Sequence, residues 1–276
     1  MMSETISPKD VMNLRNRTGL PMMDCKKALA EAGGNVDTAE ELLRKQLKGK
    51  MEKRVDRAAG EGRIGIAISE ASGSAAIVEL RAETDFTAKN EMFVNATNKI
   101  AELVLAAHGA GEVALPAQAT AIIDDLRIST GENISIARAH KIIGESGTTA
   151  YGRYVHHDGK IGALIQAEGS INDETLRQIC MHVVAAVPRP VGVNASDIPA
   201  NIVEKERAFR IEQAMESGKP KEIAEKMVEG GMRKFYAEIA LMEQPFVMDP
   251  AKTITEVVGP KATILAFYRW EVGEQA

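Results

Sequence analysis

"RIGIAISEASGSAAIVELRAETDFTAKNEMFVNATNKIAELVLAA", residues 63–107, decides how this chain folds. "RIGIAIS" and "AAIVEL" are aliphatic, β-branched runs separated by a turn at Ala71–Ser74, which reads as a β-hairpin. The period then changes. Met92, Phe93, Ala96, Ile100, Leu103, Val104 and Ala107 recur at three- and four-residue steps, so a helix over 88–108 turns one apolar stripe inward. Between strand and helix stand Glu83, Thr84, Asp85, Phe86 and Thr87. Such corners are normally polar, and a Phe beside an Asp there needs a reason. The residues alone leave two readings open: Phe86 staples onto its own helix beside Phe93, or it is held out for another molecule.

The same order returns later in the chain. After a helix near 117–128 and a strand at "ISIARAHKI", a second hairpin is formed by "AYGRYVHH", a turn at Asp158-Gly159, and "KIGALIQAE". The helix "DETLRQICMHVVAAV" follows and ends before Pro188. Ile100, Val104, Ala106 and Ala107 match Ile179, Val183, Ala185 and Ala186 at an offset of 79, while "IVEL" and "ALIQ" match at 86. The first copy therefore carries seven extra residues, the "RAETDFT" region, on a duplicated scaffold.

Outside this core, residues 1–48 read as three short helices. Ser7 is an N-cap with Pro8 behind it, Thr18-Gly19 and Gly33-Gly34 are stops, and Asn35 or Asp37 caps the third helix. Residues 49–62 read as a charged linker. The core spans 63–145 and 146–196 and is completed by 236–276, with "TILAFYRWEV" as its last strand. Residues 197–235 form a projecting antiparallel helical hairpin, with Ser217-Gly218 at the bend and a narrow seam of Ile198, Ile202, Phe209, Ile223, Met227 and Phe235. The class is α+β: a small three-helix N-terminal domain, two related β-hairpin-plus-helix subdomains with antiparallel sheets, and the projecting hairpin.

Composition limits the function. The 276 residues are 45% hydrophobic but only 4% aromatic, so the cores are aliphatic; the net charge of −5 gives no general attraction to nucleic acid or anionic lipid. No apolar run reaches a membrane span, and no leader pattern opens the chain, so the expected location is cytoplasmic. Cys25 and Cys180 are too far apart in sequence for a zinc pattern. "GEGRIG", residues 60–65, matches a dinucleotide glycine pattern but precedes a strand where a helix N-terminus is required. His156 and His157, read as neighbours on a strand, would point to opposite faces and could not chelate together. The carboxylates read as solvated charge on helix faces. Nothing assembles an active site, so the expectation is no enzyme, no cofactor and no metal, but a protein acting on another protein.

Several stretches together resemble one family. "LRNRTGLPMMDCKKALAEAGGNVDTAEELLRK", "ELRAETDFTAKNEMF", "YVHHDGKIGALI", "MHVVAAVPRP" and "QAMESGKPKEIAEKMVEGGMRKF" with "QPFVMDPAKT" are similar, in order, to bacterial elongation factor Ts. The resemblance implies a ubiquitin-associated-like N-terminal domain and guanine-nucleotide exchange on the GTPase elongation factor Tu. It implies that Thr84, Asp85, Phe86 and Thr87 form a loop inserted near the GTPase Mg²⁺ and phosphate site. It implies further contacts by Leu14, Arg15, Met22, Met23 and His156. No direct nucleic-acid or membrane partner is implied, and self-association of the complex is left open. Two departures stand out: Thr87 replaces the family's usual Val, costing an apolar contact, and the chain stops at "WEVGEQA" where many relatives continue into a further helix. They motivate an alternative, a scaffold binding the same GTPase with weak or lost exchange activity.

Overall fold

The structure is a computed structural model that describes residues 6–52, 56–216, 218 and 220–274. The N-terminal bundle is α1 (Pro8–Thr18), α2 (Met22–Glu31) and α3 (Val36–Glu52). Ser7 caps α1 by accepting from the Lys9 N–H, Gly19 ends it at φ 70°, and Asn35 caps α3 by accepting from Thr38 N–H at 2.9 Å. α3 runs four residues into the stretch read as a linker, of which residues 53–55 lie outside the described residues. The bundle closes around Val11, Leu14, Leu20, Cys25, Leu29 and Leu43.

The core begins with β1 (Glu61–Ser69), β2 (Ser74–Ala82), α4 (Asp85–Lys89), α5 (Glu91–Ala106), β3 (Gly111–Glu112), α6 (Ala117–Thr130) and β4 (Ser135–Ile143). The strands make a sheet in the order β1-β2-β4-β3, antiparallel throughout. A second antiparallel sheet comes from β5 (Thr149–Val155), β6 (Ile161–Gly169) and β9 (Ala262–Glu271), ordered β5-β6-β9. Helix α7 (Asp173–Ala185) packs on it. The intervening chain holds α8 (Ala200–Glu216), α9 (Lys221–Ile239), the ribbon of β7 (Pro245–Phe246) and β8 (Asp249–Thr253), and α10 (Ile254–Val258), before β9 (Ala262–Glu271). The ribbon and α10 carry no strong periodic pattern; α10 is set by a capping box between Thr253 and Glu256.

Alternation explains why the strands look continuously apolar. Along β2, Ala76, Val78, Leu80 and Ala82 face α5 and α6, while Ala75 and Ile77 face the second sheet. Along β6, Ala163, Ile165 and Ala167 face α7, and Leu164 meets Ile64, Ile66, Ile77 and Tyr151 between the sheets. The core is thus four layers: helices, sheet, sheet, helix. Each outer helix approaches its first strand at a glycine. A Cβ on Gly65 would stand 2.9 Å from the Thr97 carbonyl of α5, and one on Gly152 would stand 2.6 Å from Leu176 Cβ of α7.

These contacts refine the repeat. Ile77 and Leu164 face the other sheet, and Val78 and Ile165 face the helices, so the strands superimpose at an offset of 87, not 86. A shift of one residue would exchange the two faces. The helices hold at 79, since Thr97 and Leu176 occupy matching positions against the two glycines. The first copy therefore has eight extra residues between strand and helix.

The helical hairpin also differs from its expected seam. Ile198, Ile202 and Phe235 do pack together, but Phe209, Ile223 and Met227 are exposed, and Val203, Ala214, Val228 and Met232 take their place. One residue is a 100° rotation on a helix, and sparse apolar positions did not set the phase. Ser217, at the expected bend, lies outside the described residues.

Not every carboxylate is a solvated one. Glu79 of β2 is fully buried on the inter-sheet face. It pairs with Arg81 at 2.8 Å and, directly across the ladder, with Arg138 at 2.6 Å; it also accepts from the Gly273 N–H at 3.0 Å. Arg138 in turn stacks over Trp270, 4.5 Å from its ring centre. The end of the last strand is tied to the first sheet by this carboxylate and by Arg138, which donates to the Glu271 carbonyl at 3.2 Å. Removing one partner of a buried ion pair leaves the other charge uncompensated. Glu79→Ala is expected to lower stability by about 3 kcal/mol, read as a fall in the urea midpoint at unchanged slope.

His182 of α7 is buried, and burial holds its pKa below the ordinary histidine value against the opposing bond to Gln244. Its Nδ1 accepts from the Val247 N–H at 3.2 Å, which leaves the Nε2 proton for Gln244 Oε1 at 2.9 Å. The unfolded chain takes up a proton near pH ~6.5 that the folded chain refuses. Stability should therefore fall as pH drops through that value. Urea midpoints measured at about pH 7.5 and about pH 5.5 should differ less in His182→Gln than in the native protein.

Candidate partner-binding loop

The corner after β2 is a built structure. Thr84 is in extended conformation and caps α4, its side chain accepting from the Thr87 N–H at 3.3 Å. Asn90 ends α4 and caps α5, accepting from Met92 N–H at 2.9 Å. Five residues between two caps make a single turn of helix with a defined inner and outer side. Thr87 and Ala88 point inward and are buried. Phe86 points outward and is 83% exposed, while Phe93, on α5, is buried in the cluster formed with the sheet and α6. The staple reading is thereby excluded: the two rings occupy opposite environments.

Under the loop sits Glu132, from the short connection between α6 and β4. Its Oε2 accepts from the backbone N–H groups of Glu83 and Thr84, each at 3.1 Å. Its Oε1 accepts from the hydroxyls of Thr84 at 2.6 Å and Thr87 at 2.7 Å. Glu83 returns the link by accepting from the Asn133 N–H at 2.7 Å, and the Asn133 amide donates to the Arg57 carbonyl at 2.8 Å. On the outer side the Lys89 ammonium, 2.7 Å away, holds the Asp85 carboxyl below its ordinary pKa. Asp85 is thus an anion beside the exposed ring at neutral pH.

The structure separates the sequence candidates. Thr84 and Thr87 face Glu132 and shape the loop from inside. Thr87 offers no outward apolar contact to lose, because its hydroxyl is turned to the carboxylate. Asp85 and Phe86 are the outward residues. His156 comes to the same end of the core: the turn after β5 is joined to β1 by the Ile64 N–H on the Gly159 carbonyl at 2.8 Å and by Lys160 on Glu61 at 2.6 Å. Lys160 lies close enough for its charge to act on Asp85.

Two expectations are corrected here. β5 ends at Val155, so His156 and His157 belong to the turn, and their rings lie 4.2 Å apart instead of on opposite faces. His156 Nδ1 is 3.2 Å from the Asp158 carboxylate. Among the described residues no group of three or more His, Cys, Asp or Glu could hold a metal ion. Leu14 is fully buried in the N-terminal bundle, where an amphipathic helix needs it, and has no surface to give a partner. Arg15, Met22 and Met23 are exposed on that bundle, Met23 by 72%. The bundle rests on α6 through Ile128 and the Arg44–Asp125 pair at 3.7 Å.

Glu132 is the residue that reading the sequence missed. A single Glu after a glycine helix stop gives no sign that it reaches back 48 positions. Among the described residues no helix is long and apolar enough to cross a membrane.

The loop thus holds an exposed ring outside its own core, on a turn bonded from beneath by Glu132 and beside the Asp85 anion. The comparisons show the family: the chain belongs to the elongation factor Ts family of translation elongation factors. The family model "Elongation factor TS" matches residues 83–274. The chain is 42% identical to an elongation factor Ts of Thioalkalivibrio sulfidiphilus over 98% of its own length and 93% of that protein. It is 44% identical to one of Haemophilus ducreyi over 96% and 90%, and 43% identical to one of Aliivibrio salmonicida over 98% and 92%.

Thr87→Val keeps the shape of the side chain but removes one hydroxyl from Glu132. It is expected to cost about 1 kcal/mol, measurable as a lowered melting temperature, with the fold unchanged by circular dichroism.

Proposed function

We propose that this chain is a guanine-nucleotide exchange factor for elongation factor Tu and works in the cytoplasm, where translation elongation takes place. Family membership supports the activity, and the exposure of Phe86 on a fixed loop supports the mechanism. An aromatic ring that is 83% exposed is unfavourable in water. Its burial in a pocket of the partner contributes roughly 1.5–3 kcal/mol, the scale of a central interface anchor. Asp85 enters with it and brings a negative charge and acceptor oxygens toward a site that Mg²⁺ and phosphate hold together. Disturbing that metal weakens the hold on GDP, because the ion neutralises the phosphates. Linkage completes the cycle: a factor that lowers the affinity for nucleotide is itself bound less tightly once nucleotide returns. The factor contributes no covalent chemistry. The turn at His156 stands beside the loop and extends the contact surface, and Arg15, Met22 and Met23 provide a second contact from the N-terminal bundle.

The alternative of a scaffold without exchange activity loses one of its motives, since Thr87 faces Glu132 and not the partner. Stopped-flow release of labelled GDP from elongation factor Tu tests the proposal. The native protein should accelerate release, and Phe86→Ala should slow the accelerated reaction by roughly 30-fold. No acceleration by the native protein rejects the exchange reading; an unchanged rate with Phe86→Ala rejects the role of the ring.

A further inference from the structure

We infer that Glu132 is a positioning residue for exchange: its carboxylate sets the orientation in which Phe86 meets the partner. The inference rests on the exchange reading and adds a residue to it. Phe86 receives almost no packing from its own protein, so its direction is set by the backbone of α4 alone. A helix of five residues does not sustain itself, since nucleation costs more than one turn returns. The caps and the buried Ala88 hold one side of the turn. The other side rests on Glu132, which receives both N–H groups at the loop entrance and both threonine hydroxyls that flank Asp85 and Phe86. Every oxygen of that carboxylate has two donors, and all four lose this shared, fixed acceptor once it is gone. Without it the turn samples other orientations, and only a fraction of encounters place the ring correctly.

A residue that merely stabilised the subdomain would act on folding and on all contacts alike. A positioning residue acts through Phe86. Glu132→Ala should therefore lower the maximal rate of GDP release at saturating factor by about tenfold or more. The concentration giving half-maximal release should stay within about threefold, because the remaining surface still binds. In the Phe86→Ala background the same substitution should have little further effect, since the group it orients is already missing. Glu132→Gln, which keeps one carbonyl oxygen for the two N–H groups, should recover most of the rate. If Glu132→Ala fails to fold, Glu132→Asp, shorter by one methylene, takes its place with the same expectations.

A second readout needs no partner. Amide hydrogen exchange of the isolated protein, followed by NMR, should accelerate at Glu83 and Thr84 by about tenfold or more in the variant, with α5 and β2 unchanged. Additive effects of Glu132→Ala and Phe86→Ala on release would overturn the inference, as would a loss confined to the half-maximal concentration. If the native protein releases no GDP, the exchange reading falls and amide exchange alone judges the clamp; unchanged exchange at Glu83 and Thr84 then overturns it as well.

Discussion

The packing of two antiparallel sheets face to face is the constraint from which the rest of the core follows. Each hairpin must bury both of its faces, one against its own helix and one against the other sheet. Glycine therefore stands at the helix crossing in both copies, at Gly65 and Gly152. Aliphatic side chains fill the inter-sheet layer, with Ile64, Ile77 and Leu164 at its centre. Glu79, a fully buried acid in that layer, is compensated by Arg81, Arg138 and the backbone N–H of Gly273, just past β9. Because β9 arrives after the helical hairpin, this carboxylate and the β6–β9 ladder close a subdomain whose pieces are far apart in the chain. The same packing sets the turn after β5 against β1, next to the loop that carries Phe86.

That loop obeys the opposite logic. In the clusters of the two subdomains apolar side chains are buried against one another. Here an aromatic ring is left in water, and a carboxylate is enclosed by donors beneath it. Exposure of the ring is unfavourable for the isolated protein, and the turn that carries it is bonded to Glu132 by four hydrogen bonds. An insertion of eight residues between strand and helix, absent from the second copy, supplies the length for it. The second hairpin passes into α7 directly and has no comparable projection.

Under the proposed function, exchange is a competition. On that proposal the factor offers its partner a hydrophobic contact and a negative charge in place of a metal-held nucleotide. Such a contact should be strong enough to open the site and weak enough to be reversed by fresh nucleotide. A ring fixed in advance contributes more to this than a flexible one, since the cost of ordering it is met during folding and not at the encounter.

The sequence by itself determined the class of fold, the hairpin-plus-helix repeat, the caps of the N-terminal bundle and the corner at Thr84–Thr87. Those are local properties: apolar period, turn residues and helix stops act within a few positions of one another. It also determined the family, through motifs preserved in order along most of the chain. Only the tertiary structure decided the strand offset of 87, the seam of the helical hairpin, the burial of Leu14 and the adjacency of the His156 and His157 rings. It alone turned Phe86 outward and Thr87 inward, and it alone revealed Glu79 and Glu132. A carboxylate that serves a distant segment has the same local signature as one that faces water, because its partners are brought to it by folding. The long-range choices depend on which surfaces meet, and no window of sequence contains both sides of such a contact.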